Sequence, residues 1–313
     1  MFGKFMNNYY YGKSGKGDYK KEDLPTTRWQ LFWEMLRVRL SGLCRLNLMY
    51  MLIWLPTMIV LMMGVTAIMT GLIGEDGEFV ANADVLLRSF VQSTLLMLVP
   101  CVAITGIATP GVAYVTRNWS RDEHAFIWSD FKDAVKANWK QGALVSVITA
   151  LLPLVIYVGW AFYGELALTQ SAWMTIPQVL VLMIGILWSL AVTYMHPLIV
   201  SYQLKFKDLM RNAFLLAIAR LPMSVGIRLL HCLPVIIAVA LALVVNPIYC
   251  MLGLFAYYFI IGFAMSRFIT ASFTNAVFDR YINSQIEGAV VNRGLNTDPD
   301  DDDDYEEEET EQE

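Results

Sequence analysis

The sequence predicts an all-α, polytopic membrane helical bundle, with about six transmembrane helices and cytoplasmic amphipathic elbow helices. Two observations carry this prediction. Hydrophobic residues make up 57% of the 313 residues and charged residues only 16%, which is more apolar than an ordinary soluble domain. In addition, Lys and Arg crowd into every other connection between long apolar stretches. Such an alternation is typical of a chain that crosses a membrane repeatedly.

A helix needs about 20 mainly apolar residues to cross roughly 30 Å of hydrocarbon. Six stretches meet this requirement, at approximately 46–72, 89–116, 142–164, 176–200, 223–245 and 248–268. The last two are separated by little more than Asn246 and Pro247, a pair that favours a turn. We therefore expect two spans there, joined as a tight hairpin.

The distribution of basic residues predicts the orientation of these spans. Nine Lys and Arg precede the first span, five follow the second and four follow the fourth, whereas the first connection carries one and the third and fifth carry none. Basic residues are retained on the cytoplasmic side in short loops. Both termini are therefore predicted to be cytoplasmic, in a multi-pass protein of the cell membrane.

The same pattern divides the chain into three parts. Residues 1–45 are predicted to form a cytoplasmic leader and amphipathic helix, 46–280 the six-helix transmembrane domain, and 281–313 a cytoplasmic, disordered acidic tail. Residues 297–313 hold 12 of the 28 acidic residues and no basic one, so 23 basic and 16 acidic residues, a net charge of +7, remain for the rest. A segment so acidic, with almost nothing apolar to bury, is predicted to be disordered.

The basic connections carry aromatic residues at helical spacing, which predicts amphipathic elbow helices along the membrane surface. Tryptophan and basic residues of these segments are candidates for contact with the membrane interface or with a partner protein. These candidates are Trp29, Trp33, Arg37, Arg39, Trp128, Lys132, Lys136, Trp139, Lys207 and Arg211. A simpler interpretation stays open, since cytoplasmic segments beside anionic lipid acquire such residues in any case.

Within the spans, a few residues could line a pore or could serve packing alone. These pore or packing candidates are Pro56, Pro100, Pro153, His196, His231 and Pro234. Arg228 and Arg267 are further ionisable residues near the predicted cytoplasmic ends, where packing or snorkelling accounts for them. The six spans contain no Asp or Glu, which argues against a cation-coupled pump, because such pumps use intramembrane carboxylates.

The sequence offers no signature of catalysis or of cofactor binding. The four cysteines show no CxxC spacing and the three histidines are scattered, so no metal site is predicted. Acid–base groups or metal ligands, which membrane enzymes generally need, form no recognisable constellation. Without a nucleic-acid-binding motif, the basic loops are assigned to the lipid surface. We therefore expect a non-enzymatic protein with no cofactor, no metal and no nucleic-acid partner.

Several short motifs resemble bacterial YesL-like membrane proteins. They are Asn47-Leu48, Leu55-Pro56-Thr57, Ala108-Thr109-Pro110-Gly111, Tyr114-Val115-Thr116-Arg117, Arg121-Asp122-Glu123-His124, Asp130-Phe131-Lys132, Asn138-Trp139-Lys140-Gln141, and Pro197 with the basic helix of residues 205–222. The resemblance covers most of residues 1–290 and departs at the acidic tail. It implies an integral membrane protein of a largely uncharacterised family, often associated with carbohydrate uptake systems of Gram-positive bacteria.

Two functions remain open on these grounds. The first is an accessory or assembly subunit that works with another membrane protein, such as a carbohydrate transporter. The alternative is a passive channel or permease for a neutral small solute. Hydroxyl and amide side chains within the spans would line its path: Gln92, Thr105, Gln178, Ser189 and Tyr194.

Overall fold

The computed structural model describes residues 24–74 and 78–296, and this part of the chain is helical almost throughout. Its α-helices are α1 (Arg28–Gly71), α2 (Ala83–Trp119), α3 (Ile127–Thr169), α4 (Thr175–Ser201), α5 (Phe206–Ala219), α6 (Leu221–Ala242), α7 (Pro247–Tyr257) and α8 (Phe263–Tyr281). A π-helical segment, Tyr258–Gly262, joins α7 to α8, and short 3-10 helices occupy Ala172–Met174 and Asn283–Gln285. The predicted all-α membrane bundle is confirmed.

Six of the described helical units are long and apolar enough to cross a membrane, as predicted. They are α1, α2, α3, α4 with its preceding 3-10 turn, α6, and the unit that runs from α7 through α8. The hairpin between the last two spans also forms. Pro247 begins α7, and the Asn246 side chain accepts a hydrogen bond from the backbone N–H of Ile248 at 2.9 Å.

The first two elbows are continuous with the spans that follow them. Helix α1 has 44 residues, a length of about 66 Å at 1.5 Å per residue, so it contains both the first elbow and the first span. The buried side chains Leu31, Met35 and Leu43 pack within a core with α2 and α8, which holds the elbow in line with the span. Likewise, α3 includes the second elbow.

The third elbow alone is a separate helix, α5. It ends at Ala219, and Arg220 lies between it and α6, which begins with Leu221 and Pro222. Proline is favoured in the first turn of a helix, where no backbone N–H is needed. This local signal explains why the third connection breaks where the other two do not.

Helices α2 and α3 approach each other closely through glycine. A Cβ atom on Gly106 would lie 2.4 Å from the carbonyl oxygen of Gly142, and a Cβ on Gly142 would lie 2.4 Å from the carbonyl oxygen of Gly106. Only hydrogen fits at both positions. Small residues of this kind let membrane helices pack backbone against backbone.

Two apolar cores hold the bundle together. One combines residues of α3, α4, α5 and the end of α8, and the other combines α1, α2 and the beginning of α8. The peripheral hairpin is different, because Ser224 is the only buried residue of α6 and no residue of α7 is buried. The fifth span and the first part of the sixth therefore lie at the edge of the bundle.

The chain after α8 departs from the predicted tail. Residues 282–296 return along the helix ends, where the backbone N–H of Asn296 donates to the carbonyl of Pro25 at 3.0 Å and Leu295 packs against the second core. The described part of 281–313 is therefore packed against the bundle, because it carries polar groups that match the ends of α1 and α2. The acidic stretch 297–313 lies outside the described residues.

Charged residues fasten this returning segment. Asp279 accepts a hydrogen bond from Arg28, and the Arg293 guanidinium lies 2.6 Å from Glu123. The backbone N–H of Asn292 donates to Asp279 at 3.1 Å. We refer to Arg28, Glu123, Asp279, Asn292 and Arg293 as the terminal clasp, since they join both described ends of the chain.

Candidate functional site

A cavity of about 280 Å³ lies among the helices, and every one of the six spans contributes to its wall. Its lining residues are Tyr50, Trp54, Val102, Thr105, Ser146, Thr149, Val192, Thr193, His196, Arg228, His231, Tyr258, Phe263, Ser266, Arg267 and Thr270. Tyr50, Trp54, Tyr258 and Phe263 make one aromatic part of the wall, and Trp54 stacks on Phe263 with ring centroids 4.6 Å apart. Hydroxyl and basic side chains make up most of the remainder.

Four basic side chains meet at this cavity. His196 lies on α4, Arg228 and His231 lie on α6, and Arg267 lies on α8. Arg267 interacts electrostatically with each of the other three, and Arg228 interacts with His231. We call these four residues the basic cluster. Packing of three separate spans has brought them together.

No carboxylate accompanies the basic cluster. The cavity lining contains neither Asp nor Glu. None of the ion pairs within residues 24–74 and 78–296 involves Arg228 or Arg267. Because Arg stays protonated in proteins, the cavity carries positive charge that no carboxylate among the described residues balances.

Hydrogen bonds from neighbouring helices orient two members of the cluster. Arg228 donates through Nη2 to the carbonyl oxygen of Ser189 and, at 2.9 Å, to the hydroxyl of Thr193. His231 Nε2 lies 3.1 Å from the carbonyl oxygen of Ser266 and 3.2 Å from the Thr270 hydroxyl. These contacts tie α6 to α4 and to α8, so the peripheral hairpin is attached to the bundle through the cavity wall.

His196 has an unusual environment. Its side chain is 3% exposed, and neither ring nitrogen has a hydrogen-bond partner in the described part of the chain. The Nε of Arg228 is likewise buried without a partner. Buried polar groups in native proteins are nearly always hydrogen-bonded, so each exception calls for an explanation.

The π-helical segment Tyr258–Gly262 shapes the aromatic side of the cavity. A π-turn disturbs the regular helix bonding, and the buried Asn47 supplies partners for it. The Asn47 amide nitrogen donates to the carbonyl oxygens of Tyr258 at 3.0 Å and Phe259 at 2.7 Å, while its oxygen accepts from the N–H of Ala264 at 3.0 Å. Asn47 thereby fixes the backbone that presents Tyr258 to the cavity. Such π-bulges occur frequently at functional sites.

The pore or packing candidates separate into two groups. His196 and His231 line the cavity, whereas the candidate prolines do not. All four prolines lie inside the helices that the predicted spans form: Pro56, Pro100, Pro153 and Pro234. Of the polar residues proposed for a neutral-solute path, Thr105 lines the cavity and Gln92, Gln178, Ser189 and Tyr194 do not.

The interface or partner candidates lie on the outside of the helix ends. Trp29, Trp33, Arg37, Trp128, Lys132, Lys136, Trp139, Lys207 and Arg211 are exposed, and Arg39 is half-buried. Arg39 lies 3.9 Å from Asp122 and Lys136 lies 3.9 Å from Asp133. Their contact with a membrane interface or a partner stays a prediction.

Two polar residues beside the terminal clasp, Tyr202 and Arg121, are partly shielded from water. The Tyr202 hydroxyl donates to the side-chain oxygen of Asn283 at 2.7 Å. Burial raises the pKa of Tyr202 to about 12, so this hydroxyl keeps its proton and its role as donor at neutral pH. Burial lowers the pKa of Arg121, which Asp279 and Glu123 partly counteract. Charges at the helix ends are thus compensated by acidic neighbours.

One part of the chain has a recognisable family match. Residues 85–160 match the family described as "Protein of unknown function, DUF624". The DUF624 segment contains most of α2, the following loop and α3 as far as Trp160, including the glycine contact between these helices. It also supplies Thr105, Ser146 and Thr149 to the cavity. No curated protein and no solved structure matches the chain.

The DUF624 match is compatible with the resemblance to YesL-like proteins, and it assigns no activity. The sequence pointed to the four basic residues separately: His196 and His231 were candidates for a pore or for packing, and Arg228 and Arg267 were explained by packing or snorkelling. It did not single out Tyr50, Ser146, Thr193, Ser266 or Thr270, which complete the wall. A signal was present, since four basic groups without an acidic companion occur on three different spans, all toward the predicted cytoplasmic ends.

Proposed function

We propose that this protein is a non-enzymatic, multi-pass membrane protein that binds a small polar solute in the cavity inside its helical bundle, as a permease or a solute-binding subunit does. The single observation that carries the proposal is the polar cavity, to which all six spans contribute. Ionisable residues inside a membrane domain are costly and are usually retained for binding or transport. Ligand sites commonly lie between the helices of bundles.

The proposed setting is the bacterial cell membrane with both termini in the cytoplasm, which the distribution of Lys and Arg supports. In that orientation the terminal clasp lies on the cytoplasmic side, at the predicted inner ends of the spans. The basic cluster lies deeper. His231 is eight residues from the start of its predicted span at residue 223, or about 12 Å along a helix axis.

A substitution that fills the cavity tests the proposal. In Val192→Phe, the added ring occupies space at the cavity wall, whereas Val239→Phe adds the same ring on α6 at a side chain that is 62% exposed and outside the cavity. Thermal unfolding of the purified protein in neutral detergent is measured with glucose, glycerol, sodium phosphate, sodium acetate and choline chloride. We expect at least one of these solutes to raise the unfolding midpoint of the native protein and of Val239→Phe, but not of Val192→Phe.

Two results would contradict the proposal. Either none of the five solutes shifts the midpoint of the native protein, or the shift persists in full after Val192→Phe. A midpoint of Val192→Phe close to that of the native protein in the absence of solute is the control for folding. Flux of the responding solute into proteoliposomes then separates a permease from a binding subunit.

An accessory or assembly subunit of another membrane protein, such as a carbohydrate transporter, is the second candidate. The observation that favours it is the α6–α7 hairpin, whose outer surface is almost entirely unburied and is as well suited to another membrane helix as to lipid. Purification from native membranes in mild detergent should then return a stoichiometric membrane companion. Recovery of the chain alone would argue against this candidate.

A further inference from the structure

The basic cluster indicates the chemical class of the bound solute. Resting on the proposed solute-binding function, we propose that the cavity binds a small oxyanion, a carboxylate or a phosphate group, between Arg228, Arg267 and His196. This differs from the neutral solute of the channel or permease that the sequence left open as the alternative function. Unpaired charge, unused hydrogen-bond donors and the size of the cavity each support it independently.

The charge balance of the cavity favours a bound anion. Arg228 and Arg267 interact with each other inside a membrane domain, where water screens charge poorly and an uncompensated ion is costly. Elsewhere in the described chain, the buried carboxylate of Asp279 is paired with Arg28. The cavity lacks such a partner, and a bound anion would provide one.

Unused hydrogen-bond donors at the cavity also favour an oxyanion. Arg228 uses its Nη2 on Ser189 and Thr193, which leaves its buried Nε as a donor without a partner. Both ring nitrogens of the buried His196 are also unpartnered, and Arg267 makes no hydrogen bond or ion pair among the described residues. Guanidinium groups match carboxylate and phosphate oxygens geometrically. An oxyanion would satisfy donors that the protein itself leaves open.

The size of the cavity suits a small anion. A volume of about 280 Å³ corresponds to about nine water molecules at 30 Å³ each. This is room for a small acid or a phosphate group, with the aromatic wall available to an apolar part. The oxyanion could belong to a dissolved solute or to the phosphate of an anionic lipid headgroup, and the experiment must separate these sources.

Arg267→Gln is the most informative variant, because Arg267 contributes no hydrogen bond or ion pair to the described fold. Its matched control is Arg280→Gln, which removes an exposed arginine at the end of α8. Thermal unfolding in neutral detergent is measured against sodium phosphate, sodium acetate and glucose, with sodium chloride added to equalise ionic strength. We expect phosphate or acetate to raise the unfolding midpoint by several degrees, and Arg267→Gln to weaken the apparent affinity at least tenfold while Arg280→Gln leaves it unchanged.

A lipid arm distinguishes the two sources of the oxyanion. The same proteins are titrated with micelles containing phosphatidylglycerol or phosphatidylcholine. Stabilisation by phosphatidylglycerol that needs Arg267, without a response to phosphate or acetate, assigns the site to a lipid phosphate. A response to phosphate or acetate assigns it to a dissolved anion.

Other outcomes overturn the inference. Suppose that glucose stabilises the protein, that Val192→Phe abolishes this stabilisation, and that no anion stabilises the protein. The proposed solute binding is then supported, and the proposed binding of an oxyanion is refuted. If no solute or lipid acts, both proposals fail. Equal anion responses in Arg267→Gln and in the native protein also refute the site. Should Arg267→Gln be misfolded, His196→Leu provides a second variant with the same expected loss of response.

Discussion

The basic cluster and the terminal clasp use the same residue types in opposite ways. In the clasp, Arg28 is paired with Asp279 and Arg293 with Glu123. In the cavity, Arg228 and Arg267 face each other and two histidines without any carboxylate. The difference teaches that the clasp carries its own counter-charges, whereas within residues 24–74 and 78–296 no carboxylate accompanies the basic cluster.

The clasp and the basic cluster differ in hydrogen bonding as well. Asp279 accepts hydrogen bonds from the side chains of Arg28 and Asn283 and from the backbone of Asn292. His196, which is buried to a similar degree, has no partner at either nitrogen. Polar groups that are satisfied within the protein stabilise it, while unsatisfied ones reduce stability unless a ligand completes them. Substitutions in the two regions should therefore have opposite effects.

The largest effect is expected at Asp279, the centre of the clasp. Asp279→Ala leaves Arg28 without its partner and removes the acceptor that holds Asn292, so we expect the free energy of unfolding to fall by about 3 kcal/mol. Denaturant titration in detergent micelles, followed by circular dichroism, measures the change. The matched control is Asp133→Ala, which removes an exposed carboxylate that lies 3.9 Å from Lys136. If the free energy of unfolding fell no further in Asp279→Ala than in Asp133→Ala, the clasp would not stabilise the fold.

A smaller loss is expected at Asn47, which supports the cavity wall through the π-helical segment. Asn47→Leu leaves two carbonyls and one N–H without their partner, which should cost about 2 kcal/mol of unfolding free energy. Because the π-segment positions Tyr258, the response to solute should weaken as well. The control Asn212→Leu removes an exposed amide that bonds only within its own helix. If Asn47→Leu were as stable as this control, the π-segment would not depend on Asn47.

The smallest effect has the opposite sign. His196→Leu replaces an unsatisfied buried imidazole with an apolar side chain of similar size, and in the absence of solute it should raise the free energy of unfolding by about 1 kcal/mol. Its solute response should be lost at the same time. His124→Leu, at an exposed ring packed on Phe126, should change neither quantity. A destabilised His196→Leu would indicate that the imidazole serves the fold rather than a ligand.

The sequence was sufficient to predict the membrane spans, because the length of an apolar stretch and the residues of a turn are local features. The stretch at 223–245 and the Asn246-Pro247 turn agree with α6 and the start of α7. The continuity of α1 was not predicted, since the packing of Leu31 and Met35 against distant helices decides whether the elbow bends. Orientation relative to the membrane stays a prediction, as do the roles of the exposed tryptophans.

The cavity and the clasp depend on contacts between residues far apart in the chain. Arg28 and Asp279 are separated by 251 positions, and no local pattern links them. His196, Arg228 and Arg267 each resembled an ordinary boundary residue, because snorkelling explains any one of them alone. Their meeting follows from how α4, α6 and α8 pack, and from the π-segment that Asn47 supports.

The central claim is that Arg28 of the terminal clasp stabilises the fold and Arg267 of the basic cluster does not. Its most direct test is the free energy of unfolding, without added solute, of Arg28→Gln and Arg267→Gln measured side by side in the same detergent. We expect Arg28→Gln to lose about 2 to 3 kcal/mol, because the buried Asp279 loses its counter-ion, and Arg267→Gln to remain within about 0.5 kcal/mol of the native protein. Equal losses in the two variants, or a larger loss in Arg267→Gln, would contradict the claim.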